Sequence, residues 1–184
     1  MNLPDLIGIG GTFASGKDTF ADYLVKEFCY EHISTSDMVR AVAIERYGSV
    51  ERPILQKVGI ELRNEDGSGA LAKKALKISA RPAIISGIRT VAEVRTIKDA
   101  GGVMVFIDAD QKVRYDRMKK RARDNESELS LEEFMAREER ERDNSDASSQ
   151  NLSAVEREAD VVLDNSGELN EFLSRAVVEL SNCK

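Results

Sequence analysis

The chain has almost nothing with which to build a cross-linked or metal-stapled fold. Two cysteines, Cys29 and Cys183, and one histidine, His32, occur among its 184 residues. That set is too small for a disulfide framework or a Cys/His zinc site. Prolines number only three, and no Pro-, Gly- or Ser-rich stretch or internal repeat divides the chain. One domain over residues 1–184 is therefore expected. No apolar run approaches membrane length, and no charged segment followed by an apolar core opens the chain, so a reducing cytoplasm without a membrane partner is expected. Excess positive charge is also lacking. The net charge of −6 argues against whole-molecule attraction to nucleic acid, so any anion site must be local. No feature of the sequence sets an oligomeric state.

What the chain does have is charge of both signs, a third of its residues, which points to long solvated helices. Short apolar runs recur between helical patterns. Leu6 to Gly10, His32 to Thr35, Pro82 to Ser86, Val103 to Asp108 and Ala159 to Leu163 read as strands. The helix from Lys17 to about Glu31 carries Phe20, Leu24 and Phe28 on one face, with Ser36 or Asp37 able to cap the next. Further helices begin at Pro53, run to Ile78, carry Val91, Val94 and Ile97, and span Lys112 to Arg123. The last helix has a buried stripe from Leu169 to Leu180. Strands alternating with helices predict an α/β, three-layer αβα fold around a five-stranded parallel sheet, with ligands at the strands' carboxyl ends. Residues 124–152 are polar and dense in charge, as in a solvated helical hairpin.

The first strand leads directly into Gly11-Thr12-Phe13-Ala14-Ser15-Gly16-Lys17, and a helical pattern follows. This is the strand, glycine-rich loop and helix order of a P-loop. Its backbone N–H groups wrap a triphosphate, its lysine meets the outer phosphates, and the helix terminus adds partial positive charge. ATP with Mg²⁺ is the expected cofactor pair. The residue after the lysine is Asp18, with Thr19 next. Either a carboxylate or a hydroxyl suits this hard cation, so both remain candidate metal ligands. Asp18 would also favour the helix dipole without any metal.

Several segments resemble the P-loop nucleoside monophosphate kinase superfamily. Ile33-Ser34-Thr35-Ser36-Asp37-Met38-Val39-Arg40 is similar to the segment after strand two in adenylate kinases. The resemblance implies that Thr35 lies by the acceptor base and Arg40 binds the acceptor phosphate. Ile85-Ser86-Gly87-Ile88-Arg89-Thr90 is similar to the segment after strand three, which gives Arg89 the same phosphate. Arg117-Met118-Lys119-Lys120-Arg121 resembles the start of the lid, placing Arg117 on the donor base and Arg121 at the transferring phosphate. Ala159 to Gly167 is similar to the last strand and loop of dephospho-coenzyme A kinases, so Asn165 and Gly167 should border the donor adenine. Gly16-Lys17-Asp18-Thr19 and Gln150-Asn151-Leu152-Ser153 look like kinase-like domains that stand free or are fused to deoxycytidylate deaminases. The zinc ligands and catalytic glutamate of a deaminase are absent.

Arginines suit this chemistry without any family, because phosphoryl transfer joins two phosphates that repel and guanidinium groups neutralise them bidentately. Arg40 and Arg89 follow strand ends, whereas Arg123, Arg137, Arg140 and Arg142 read equally well as surface charges. The expected reaction is transfer of the γ-phosphate of ATP to a nucleoside or deoxynucleoside monophosphate. Two rivals are transfer to the ribose hydroxyl of dephospho-coenzyme A, where Asp37 could act on the hydroxyl, and a non-catalytic ATP-binding switch. Against a phosphate acceptor, Asp37 would be a helix cap or lie near the metal. Three finer expectations follow. Residues 124–142 should form a lid; Glu93 is either a reader of the acceptor base or an exposed helix glutamate; and Asp18 should accept a hydrogen bond from Ser86, the two having exchanged the places that a hydroxyl and an acid hold in adenylate kinases.

Overall fold

The computed structural model describes residues 2–121, 129–142 and 150–183. Its apolar runs form five parallel strands: β1 (Leu6–Gly11), β2 (Glu31–Ser34), β3 (Ala83–Ile88), β4 (Val103–Asp108) and β5 (Val161–Asp164), in the order β2-β3-β1-β4-β5. The loop-bearing strand β1 is central, hydrogen-bonded to β3 on one side and β4 on the other. Side chains alternate across such a strand. Ile7 and Ile9 therefore meet α1 (Lys17–Phe28) and α9 (Leu169–Ser181) through Phe20, Leu24 and Phe172. On the opposite face Leu6, Ile85, Met104 and Phe106 pack with Val94 and Ile97 of α5 (Val91–Asp99) and Val155 of α8 (Leu152–Arg157). This is the expected αβα arrangement.

Between β2 and β3, helices α2 (Thr35–Tyr47), α3 (Arg52–Asp66) and α4 (Ala70–Ile78) share a smaller cluster of Val39, Ala43, Val58, Leu62 and Leu71. Beyond β4, α6 (Gln111–Arg121) and α7 (Leu131–Arg142) meet through Met118, Leu129 and Phe134, with Phe13 packed against them. Among the described residues, no helix is long and apolar enough to cross a membrane.

Local chemistry shifts several expected boundaries. Helix α1 stops at Phe28, before Glu31, because Cys29 turns left-handed (φ 57°) and its N–H closes on Val25 at 3.1 Å. The cap of α2 is Ser34, whose hydroxyl accepts from the Asp37 N–H at 3.2 Å, rather than Ser36 or Asp37. The charged region divides into α7 and a separate short α8, which no local pattern announces. Arg123 and residues 124–128 lie outside the described residues, as does the side chain of Arg140.

Candidate functional site

The loop joining β1 to α1 is held from beneath. Gly11 adopts φ 143°, and a Cβ there would lie 2.1 Å from the Ile107 carbonyl oxygen, so only glycine lets the loop cross β4 this closely. The buried Thr12 donates its hydroxyl to Asp108 at 2.5 Å and its N–H to Ile107 at 3.2 Å. Gly16, at φ 96°, leaves space that the Asn165 side chain fills, and Asn165 donates to the Ser15 carbonyl at 2.8 Å. The loop is thus fixed by its neighbours before any ligand arrives.

Above it lies a first cavity of about 440 Å³. Ala14 to Thr19 form its floor, and Arg117, Arg121 and Asn165 its walls. Three buried polar atoms of this lining, Ser15 Oγ, Arg117 Nη1 and Asn165 Oδ1, have no hydrogen-bond partner. Leaving such groups unpaired costs about 1–3 kcal/mol each, which an incoming nucleotide would relieve. The residues present therefore fit ATP. Asp18 and Thr19 are both exposed at this cavity and offer hard oxygen donors for Mg²⁺. Gly11 and Thr12 lie behind the floor, and Gly167 is exposed and takes no part in the lining.

A second cavity, about 390 Å³, opens between the loop and helices α2 and α3. Arg40, Arg52, Arg63, Arg89 and Arg121 line it, facing Asp18, Asp22 and Asp37. Lys17, Asp18, Asp22 and Arg121 belong to both cavities, so the two meet at the loop lysine, whose Nζ donates to the Thr12 carbonyl at 2.6 Å. Arg89 is held by Gln150, which accepts from it at 2.5 Å, while the Arg89 carbonyl accepts from Asn151. Thr35 is buried and donates to the Gly87 carbonyl at 2.9 Å, fastening α2 to the end of β3.

Two expected roles change. Glu93 cannot read a base, because it is fully buried and both its oxygens are engaged. One accepts from Arg63 at 3.0 and 3.1 Å; the other accepts the backbone N–H groups of Arg89 at 2.8 Å and Thr90 at 3.2 Å. Neither is Ser86 bonded to Asp18. Its hydroxyl lies 2.8 Å from His32 Nε2, and the imidazole of β2 takes the place that Asp18 was expected to fill. Both Ser86 and Asp18 still line the second cavity.

Sequence reasoning missed His32, Phe13, Arg52, Arg63 and Asp108. Asp108 was findable, since it ends β4 on the side where ligands bind. It accepts from Thr12, pairs with Arg142 at 2.9 Å and lies 3.3 Å from the buried Arg114. Arg114 also pairs with Glu138 of α7 and donates to the Phe13 carbonyl at 3.4 Å. Burial lowers the Arg114 pKa, Asp108 works against that shift, and Arg142 adds to it.

A family model described as an AAA domain matches residues 7–142. A UPF0200/UPF0201 protein of Archaeoglobus fulgidus is 31% identical over 179 residues, covering 92% of this chain and 53% of the relative. The chain thus spans about half that relative's length. A cytidylate kinase of Neisseria gonorrhoeae is 31% identical over 99 residues, covering 54% of this chain and 38% of that one. The crystal structure of shikimate kinase from Bacteroides thetaiotaomicron superposes with a TM-score of 0.60 at 14% identity, over 96% of both chains. The architecture is that of the P-loop kinases.

Proposed function

The chain belongs to the AAA domain family, matched over residues 7–142, and from that premise we propose that it transfers the γ-phosphate of ATP to a nucleoside or deoxynucleoside monophosphate. The observation that carries this reading is the junction of two cavities at Lys17, the second of them lined by five arginines. Glu93 offsets Arg63, and the other four arginines with Lys17 still outnumber the three facing aspartates, which suits a phosphate monoester beside a triphosphate better than a neutral acceptor. The likeness to a cytidylate kinase supports the same acceptor class.

In this reading the loop N–H groups and Lys17 hold the donor phosphates, and Arg117 and Asn165 border its base. Arg40 and Arg89 hold the acceptor phosphate, with Thr35 and Asp37 beside the acceptor. Arg121 reaches the phosphate in transit. Bound ATP supplies the phosphoryl group, and Mg²⁺ held at Asp18 or Thr19 offsets its charge. The chain's own contribution is positioning and neutralisation. A cytoplasmic address fits a nucleotide substrate, and a net charge of −6 weighs against a nucleic-acid partner.

A hydroxyl acceptor is the second reading, favoured by His32, an imidazole in the acceptor cavity able to receive a proton. A coupled assay for ADP release, run with a panel of nucleoside monophosphates and with dephospho-coenzyme A, decides between them. Turnover with a monophosphate is expected. Turnover with dephospho-coenzyme A alone would establish the second reading, and tight ATP binding with no stimulating acceptor would leave a switch.

Within the expected lid of residues 124–142, α7 covers the phosphates and excludes water from them. Amide exchange in α7 should slow when a dinucleoside oligophosphate occupying both cavities is added. Equal exchange with and without it would make α7 a fixed part of the surface.

A further inference from the structure

Phe13 is the only aromatic side chain of the phosphate loop, and three elements converge on it. The guanidinium of Arg52, the first residue of α3, lies 4.9 Å from the centroid of its ring. That of Arg121, the last residue of α6, lies 5.2 Å from the same centroid. The ring of Phe134 in α7 is 6.0 Å away, and the Phe13 carbonyl accepts from Arg114. Phe13, Arg52 and Arg121 all line the arginine-rich cavity, and Arg121 reaches the donor cavity too.

Two guanidinium groups brought to one place repel one another. An aromatic face opposes that repulsion, because its quadrupole attracts each cation. Resting on the apolar reading of Phe13 alone, one would expect it simply to cap the small cluster of Met118 and Phe134, and that contact exists. It does not account for both arginines sharing its ring.

We propose that Phe13 is a positioning residue that seats Arg52 and Arg121 at the junction of the two cavities, and that Arg52 is a further ligand for the phosphate beyond the donor's γ-position. This rests on the two-cavity reading above, but its test needs no transfer. Adenosine 5′-tetraphosphate carries one phosphate past the length of ATP, so its affinity relative to ATP reports on the junction. In wild type, Arg52→Gln should weaken tetraphosphate binding about tenfold and ATP binding much less. Phe13→Leu should do the same, and Phe13→Tyr, which keeps the ring face, should restore affinity. In the Phe13→Leu background, Arg52→Gln should have little further effect.

Phe13→Leu with unchanged tetraphosphate affinity and an unchanged melting temperature would overturn the proposal, as would losses from Phe13→Leu and Arg52→Gln that multiply independently. Should Phe13→Leu fail to fold, Arg52→Gln in the wild-type background still decides, because unchanged relative affinity there removes Arg52 from the site. Selective binding by a protein that transfers to no acceptor would sink the kinase reading and leave this one standing.

Discussion

Lys17→Ala should abolish phosphoryl transfer and leave the fold standing. The Lys17 ammonium lies where the two cavities meet and donates to the Thr12 carbonyl. The loop itself is held by other means: Thr12 on Asp108, Asn165 on Ser15, and Gly11 against Ile107. Truncation removes a charge at the junction of the cavities and little packing. Loss of a preorganised electrostatic group of this kind lowers kcat by about 10²–10³-fold or more. The ADP-release assay should fall to background while the thermal melting curve stays within a few degrees of wild type. A folded Lys17→Ala protein with near-normal turnover would remove the loop from the chemistry altogether.

Glu93→Ala should be the most destabilising single change around the second cavity. Arg63 and Glu93 are 3% and 0% exposed and pair at 3.0 Å. Breaking a buried pair by removing one partner costs about 3–5 kcal/mol, because the other charge stays buried and uncompensated. The change also removes the reciprocal cap in which Thr90 and Glu93 hold each other's backbone N–H groups. Urea denaturation should show the full loss. Replacing both residues, Arg63→Met with Glu93→Met, should recover most of it, since a packed apolar pair can match a buried ion pair. In any Glu93 variant stable enough to assay, the ranking of acceptor bases should not change. A change in that ranking with stability intact would return Glu93 to the site.

The fate of Glu93 shows where sequence reading succeeds and where it stops. Strand and loop chemistry is local: Leu6 to Gly10 alternates, glycines follow, and a lysine opens a helix, so the loop and its sheet were readable. Arg40 and Arg89 were readable for a related reason, since each follows a strand's carboxyl end, where parallel sheets place ligands. The capping box of Thr90 and Glu93 has a local spacing too, but sequence reasoning missed it. What no local pattern carries is Arg63, thirty positions earlier, whose arrival from α3 buries the carboxylate. His32 is a similar case. Its place at the edge of a strand was expected, but its bond to Ser86 depends on the register of β2 against β3, which pairs Ser34 with Ser86. Helix α8 was missed because six residues make too few turns to display a period.

Arg121 and Gln150 flank the stretch that includes α7, and each is fastened to the phosphate machinery, one on the Phe13 ring and the other on Arg89. Between them α7 is itself pinned, by Phe134 against Phe13 and by Arg142 on Asp108. A change that slides this helix along its own axis would therefore be felt at the loop beneath it.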